Sequence, residues 1–291
     1  MNSLTEEQKI EKIARTMHWW MKYKRAEAIL QLLEDRLAEP RSHRMRNILI
    51  VADTNNGKTR IALRFARRHK PEIHMAQPST VPILYLQATA ADESRFYNQI
   101  FEKLPVYKTG QSSRSDMKEI LAFRAMENCR VGMCVIDEFH NLLNAPNQKQ
   151  TNFRRLIRTM GNELMIPIVG LGTYEAFHAI SSDAQLANRF QVVVLPKWKL
   201  DEGEDDGPSE YRQFLASFDR LMPFDEPSDL GNDPMATKIF ALSEGTIGEA
   251  TDLVRDAAKW AVRNNATRIT EKALEKCGYI PPSKRTLLPC A

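Results

Sequence analysis

The 291-residue chain is 43% apolar and 27% charged, values of a globular protein long enough to bury a full core in one large or two modest domains. Its 41 Lys/Arg and 37 Asp/Glu leave a formal charge of +4, too small to mark a polyanion binder by itself. Cys129, Cys134, Cys277 and Cys290 lack zinc-ligand spacing and are too few for a disulfide framework, the polar start carries no signal-peptide pattern, and no apolar run approaches the ~20 residues of a membrane helix. These features exclude a secreted miniprotein and a membrane protein. A cytoplasmic protein with reduced thiols is expected, with Cys134 in the core.

In chain order, residues 5–39 read as helix, without Pro or Gly and with Ile10, Ile13, Met17, Trp20 and Met21 at three- and four-residue steps. The apolar run 47–52 suits a buried strand, 59–69 an amphipathic helix, and 82–86 a second strand. A helix over 92–104 is followed by a Gly/Ser-containing loop at 107–113. Ser113 and Asp116 have the spacing of a capping box for a helix to 128. Strands are expected at 131–136, 165–171 and 192–195, with a basic helix at about 149–163. The alternation from 47 to 195 predicts a parallel sheet covered by helices on both faces. The acidic, Gly-containing stretch 201–208 marks a boundary. Beyond it only helices are read, over 209–222, 234–243, 247–263 and 270–277, with Gly245 placed as a helix C-cap.

The first strand runs into Ala52-Asp53-Thr54-Asn55-Asn56-Gly57-Lys58-Thr59 and then a helix. This is the phosphate-loop pattern G-x-x-x-x-G-K-[ST] with its first glycine replaced by Ala52. Gly57 allows the tight fold that turns the amides of Thr54, Asn55 and Asn56 inward, and the helix start adds its positive end. Lys58 reaches the β- and γ-phosphates, and Thr59 offers a hydroxyl to Mg²⁺. Ala52 is acceptable provided its φ is negative.

The third strand ends in Asp137-Glu138. In a doubly wound sheet the ligand lies at the carboxyl ends of the strands, so Asp137 is expected beside Thr59 as a Mg²⁺ ligand and Glu138 as the general base for water. His140 completes D-E-x-H, a helicase-like run, but a second sheet domain does not fit in the remaining length, and His140 reads as a turn residue. Thr173 ends the fourth strand, where its hydroxyl can orient water near a γ-phosphate. Arg189 precedes the fifth, where it can serve as an arginine finger toward a neighbouring subunit.

Together these features resemble an AAA+ ATPase, and the stretches RMRNILIVADTNNGKT, PILYLQATAADESRFYNQIFEKL, VIDEFHNLLN, IPIVGLGTYEA, LANRFQ, LPKW and SEGTIGEATDLVRDAA are similar to those of the TniB/TnsC family of transposition regulators. The resemblance runs from about 45 to 263. It implies a P-loop AAA+ α/β fold with an N-terminal helical extension (1–43), a nucleotide-binding domain (44–200), a helical lid (201–280) and a flexible tail (281–291). It implies an ATP- and Mg²⁺-dependent homo-oligomer, a ring or helical filament on double-stranded DNA, that marks a target site and recruits a DDE-type transposase, with a TniQ-like targeting protein as partner. Many AAA+ lids carry a sensor arginine where this chain has Gly248-Glu249, so slow hydrolysis is expected. An IstB-like helper or helicase-loader ATPase, and a nucleotide-locked DNA scaffold, are the alternatives.

No helix-turn-helix or zinc module is present, so DNA contact is expected through the backbone, without sequence preference. Lys103, Lys108, Thr109, Arg114 and Lys118 cluster around the 107–113 loop. The basic helix, with Lys149, Arg154, Arg155 and Arg158, is a second candidate beside ordinary solvated charge. Trp19 and Trp20 suit packing against the body of the protein, with a subunit or partner interface as the alternative.

Overall fold

A computed structural model describes residues 4–74, 78–105, 115–143, 147–201 and 209–285. The chain divides into two compact units. One holds residues 24–54 and 58–195; the other holds 1–23, 55–57 and 196–291.

The first unit is a five-stranded sheet with helices. Strands β1 (Asn47–Val51), β2 (Ile83–Gln87), β3 (Met133–Asp137), β4 (Ile168–Gly172) and β5 (Phe190–Val194) are ordered β2-β3-β4-β1-β5, and every pairing is parallel. β1, β3 and β4 are buried at every position, which is why they read as apolar runs broken only at Asn47 and Asp137: a parallel strand covered on both faces has no polar side to show. Register aligns the strand ends. Val51 pairs with Gly172 and Val194, and Gln87 with Asp137. β4 therefore separates the carboxyl ends of β1 and β3 by a single strand. The buried Asn47 side chain fixes the other end, its Oδ1 accepting from the Ile168 amide at 3.0 Å.

β3 and β4 start later than expected. Arg130 and Met165 adopt left-handed φ of 50°, which ends extended structure on that side. Pro167 cannot donate to the ladder but contributes its carbonyl to the Cys134 amide at 3.1 Å. Cys134 is fully buried, as expected.

The second unit is helical. Helix Glu6–Arg15 opens with a capping box between Thr5 and Gln8, and Ser209 and Thr270 cap helices Glu210–Asp219 and Glu271–Lys276. Helix Met235–Ser243 ends at Glu244 and Gly245, both left-handed. A Cβ on Gly245 would lie 2.7 Å from the Trp198 carbonyl oxygen, so only glycine fits this turn. Aromatic rings fill the interior: Trp198 contacts Tyr23, Tyr211 and Phe214.

The single helix expected over 5–39 is two helices. Glu6–Arg15 passes through a 3-10 turn, Thr16–His18, and helix resumes only at Lys24–Ala38. Trp19 is extended at ψ 145° and sets its ring 5.8 and 5.6 Å from Phe214 and Phe218. Residues 1–23 thus group with the helical unit and 24–38 with the sheet unit. A continuous helix would commit the run to one of them. Trp19 is accounted for by packing inside the helical unit. Ser113 of the expected capping box, the 107–113 loop and most of the acidic stretch 201–208 lie outside the described residues.

Candidate functional site

The loop after β1 begins with Ala52, whose amide donates to the Gly172 carbonyl at 3.1 Å. Ala52 is not among the residues with positive φ, whereas Asn55 (58°) and Gly57 (93°) are. The alanine is therefore unstrained, and the sharp turning falls on Asn55 and Gly57. Lys58 opens helix Lys58–Arg68 and is only 8% exposed. Its ammonium folds back to donate to the carbonyls of Ala52 and Asp53, each at 2.8 Å. Burial lowers its pKa, opposed by the charges of Glu138, Asp137 and Asp53. A buried ammonium served by neutral carbonyls is poised to take an anion.

Thr59 Oγ1 donates to Asp137 Oδ2 at 2.6 Å, so the two residues predicted to meet, 78 positions apart, do meet. Asp137 is 2% exposed. Its Oδ1 accepts from the Glu138 amide at 2.8 Å. Its Oδ2 also accepts from the Tyr85 hydroxyl at 2.6 Å. Burial first, and then Asp137, push the Tyr85 pKa up, so the phenol stays a donor. Tyr85 was not singled out in the sequence. The available signal was a phenol inside the apolar run of β2, two residues before Gln87, which pairs with Asp137. Alternation puts positions 85 and 87 on one face. Among the described residues no group of three or more His, Cys, Asp or Glu is placed to hold a metal ion. Thr59 and Asp137 supply a hydroxyl and a carboxylate, a donor set that fits Mg²⁺ held jointly by protein oxygens, substrate phosphates and water.

Glu138 adopts a left-handed φ of 54°, and its side chain is 42% exposed. Its Oε2 lies 3.3 Å from His140 Nε2. His140 opens the short helix His140–Leu143, and its Nδ1 is buried without a partner. Thr173 follows β4 and precedes helix Tyr174–Ser181, but makes no side-chain cap bond, and its Oγ1 is buried without a partner. A hydroxyl in that state is open to a water or phosphate oxygen. Arg189 is not brought to the loop. Its Nη1 donates to Asn162 Oδ1 at 2.9 Å, and burial, then Arg44 and Arg158, lower its pKa.

Within the helical unit, Asn55 meets the start of helix Ile247–Arg263. The Gly248 amide donates to the Asn55 carbonyl at 3.0 Å, and Asn55 Nδ2 donates to Glu249 Oε1 at 3.1 Å and Asp252 Oδ2 at 3.3 Å. Asn56 Nδ2 donates to the Pro196 carbonyl at 3.0 Å. A Cβ on Gly248 would fall 2.0 Å from Asn55 Oδ1. The Gly-Glu pair that reads in sequence as a missing arginine is thus a fitted seat for Asn55.

The family model for the bacterial TniB protein matches residues 9–200, a span holding both the loop and Asp137-Glu138. The chain belongs to the TniB family. No curated protein matches it. Among solved structures it is similar to the Aeropyrum pernix ORC1 protein in complex with DNA (TM-score 0.65, 16% identity, covering 92% of this chain and 68% of that one). It is also similar to the Aeropyrum pernix ORC2 protein in ADPNP–ADP complexes (0.58, 15%, 91% and 70%). A third is Drosophila ORC bound to DNA (0.57, 15%, 99% and 70%). The shared fold is that of P-loop AAA+ ATPases.

In this TniB family member, the expected DNA residues divide. Lys103 is exposed. Lys118 is occupied, donating to Ser94 Oγ at 2.6 Å. Lys108, Thr109 and Arg114 lie outside the described residues. On helix Asn147–Glu163, Arg154 donates to the Ala179 carbonyl at 3.2 Å and Ser182 Oγ at 3.1 Å, and Arg158 donates to Gln185. Those two arginines tie TniB helices to one another, which favours the structural reading of that face. No helix among the described residues is long and apolar enough to cross a membrane.

Proposed function

We propose that the chain binds and hydrolyses ATP with Mg²⁺, assembles with copies of itself on duplex DNA through backbone contacts, and regulates the choice of target site in DNA transposition. In this reading it recruits a DDE-type transposase, and a TniQ-like protein directs it. The observation that carries the nucleotide reading is the 2.6 Å bond from Thr59 to Asp137, with the Lys58 ammonium held inside the loop. TniB membership supports the transposition role. The DNA in the Aeropyrum pernix ORC1 and Drosophila ORC structures supports DNA as partner. The free thiols of Cys129, Cys134 and Cys277 suit a cytoplasmic setting.

The residues divide the work. Lys58 exchanges carbonyl partners for phosphate oxygens, and the amides of Thr54 to Gly57 receive the remaining charge. Thr59 and Asp137 hold Mg²⁺, which when bound neutralises charge on the phosphate oxygens. Tyr85 fixes the rotamer of Asp137. Glu138 takes the proton of the attacking water onto its carboxylate, and Thr173 Oγ1 orients that water. Arg189 acts on the nucleotide of a neighbouring copy, so that ATP favours assembly and hydrolysis favours release. The lack of an arginine at Gly248-Glu249, where many lids place one, favours slow turnover and is the feature that speaks for the nucleotide-locked scaffold.

ATP titration by calorimetry, with turnover measured with and without duplex DNA, tests this reading. Wild type is expected to bind ATP and Lys58→Ala to lose about tenfold or more. Glu138→Gln is expected to bind ATP but lose turnover by about 10²-fold or more. Equal turnover in Glu138→Gln and wild type favours the scaffold. Equal ATP binding in Lys58→Ala and wild type overturns the site.

A further inference from the structure

Glu249 is 6% exposed in the first turn of helix Ile247–Arg263. A carboxylate this buried needs dedicated donors, and three residues provide them. Tyr279 Oη donates to Oε2 at 2.7 Å. Arg285 donates through both terminal nitrogens, Nη1 to Oε1 at 3.0 Å and Nη2 to Oε2. Asn55 Nδ2 donates to Oε1 at 3.1 Å. Burial alone would raise the Glu249 pKa, but these hydrogen bonds, Arg285 first, hold it at about 2. Glu249 is therefore ionised throughout the neutral range.

Arg285 is built into place. It ends the short helix Pro282–Arg285, which is anchored by the Ser283 amide donating to Glu244 Oε1 at 2.9 Å. Its Nε donates to the Ile280 carbonyl at 3.0 Å, and its guanidinium lies 5.6 Å from the Tyr279 ring centroid. The segment expected to be flexible from 281 onward thus begins with an ordered turn whose last side chain is committed to Glu249.

The consequence is electrostatic. Asn55 belongs to the phosphate loop, and Glu249 is its direct partner. An uncompensated carboxylate there would oppose the binding of a triphosphate in the same loop. Arg285 cancels that charge while leaving the oxygen that holds Asn55. We propose that Arg285 is a positioning residue for the phosphate loop, setting its affinity for nucleotide by neutralising Glu249 and keeping that carboxylate on Asn55. The inference rests on the reading of 52–59 as a nucleotide loop. Glu249, Tyr279 and Arg285 all lie outside the 9–200 span matched by the family model.

The test is a charge cycle on the full chain, read as calorimetric Kd for ATP–Mg²⁺, with thermal midpoints recorded for each variant. Arg285→Ala leaves one extra negative charge and is expected to weaken binding on the order of tenfold. Glu249→Gln keeps the shape but removes the anion, leaving a net positive site, and is expected to bind several-fold more tightly than wild type. The double variant restores neutrality and is expected to return to within about threefold of wild type. Raising salt should narrow the gap between Arg285→Ala and wild type, because the repulsion is screened. Arg285→Gln, which keeps hydrogen bonding without charge, is held to the same outcomes and serves if Arg285→Ala does not fold. The proposal is overturned if Arg285→Ala and Arg285→Gln bind like wild type. It is also overturned if the double variant stays as weak as the Arg285 single variants, since the loss would then be structural. A wild type that binds no ATP removes the loop reading itself, a separate result from either.

Discussion

At the scale of single residues, Asp137 is defined by what donates to it. A buried carboxylate with one oxygen serving Thr59 and Tyr85 and the other serving the Glu138 amide has its rotamer fixed before any ligand arrives. Removing the phenol hydroxyl leaves the charge buried with one donor fewer. Hydrogen bonds to charged groups contribute about 1.5–3 kcal/mol, and the Tyr85 ring itself remains in Tyr85→Phe. That variant is therefore expected to unfold about 1–3 kcal/mol more easily in urea and to need more Mg²⁺ for half-maximal turnover. Unchanged stability together with an unchanged Mg²⁺ requirement would mean that Tyr85 does not position Asp137. The residue also shows where sequence reading stops. Asp137, Thr59 and Lys58 announce themselves by type and spacing, because they fall at the fixed positions of the phosphate-loop pattern and of an acidic strand end. Tyr85 looks like one more aromatic in a strand, and only the β2–β3 register puts it on the face of Asp137.

At the scale of elements, the buried strands and most helix bounds were legible, and the break in the first helical run was not. β1, β3 and β4 are apolar at nearly every position because both faces are buried, and that pattern survives without any knowledge of neighbours. The break at residues 16–23 leaves no such trace. Helical spacing continues through it, and the chain departs from helix because Trp19 has aromatic partners more than 190 residues away. Helix Ile247–Arg263 has the bounds expected from sequence, but its opening Gly-Glu reads there only as an absent arginine. Glycine inside an exposed helix costs roughly 0.5–1 kcal/mol relative to alanine, so Gly→Ala would ordinarily stabilise. Here the new methyl group would meet Asn55 Oδ1 at 2.0 Å. Gly248→Ala is expected to reverse the usual sign: a lower thermal midpoint and weaker ATP binding. A raised midpoint with ATP affinity intact would show that Asn55 is not seated on the helix.

At the scale of the whole molecule, the proposed function gives Arg189 its role only in the presence of a second copy. Its guanidinium is partly buried near Arg44 and Arg158, and its one described bond is to the neutral amide of Asn162. Three like charges with, among the described residues, no carboxylate bonded to Arg189 make a place where an anion is favoured. No described bond joins Arg189 to the loop of its own chain. If the anion is the phosphate of a neighbouring copy, each active site is shared across a head-to-tail interface. Two inactive variants then complement one another. Lys58→Ala lacks the loop cation but retains Arg189, whereas Arg189→Ala retains the loop. In an equal mixture, about a quarter of interfaces pair an intact loop with an intact Arg189. ATP turnover of the mixture on duplex DNA is therefore expected to exceed that of either variant alone, toward about a quarter of wild type. A mixture no faster than the mean of its two components would place Arg189 outside the shared site, and ATP-driven assembly would then need another sensor.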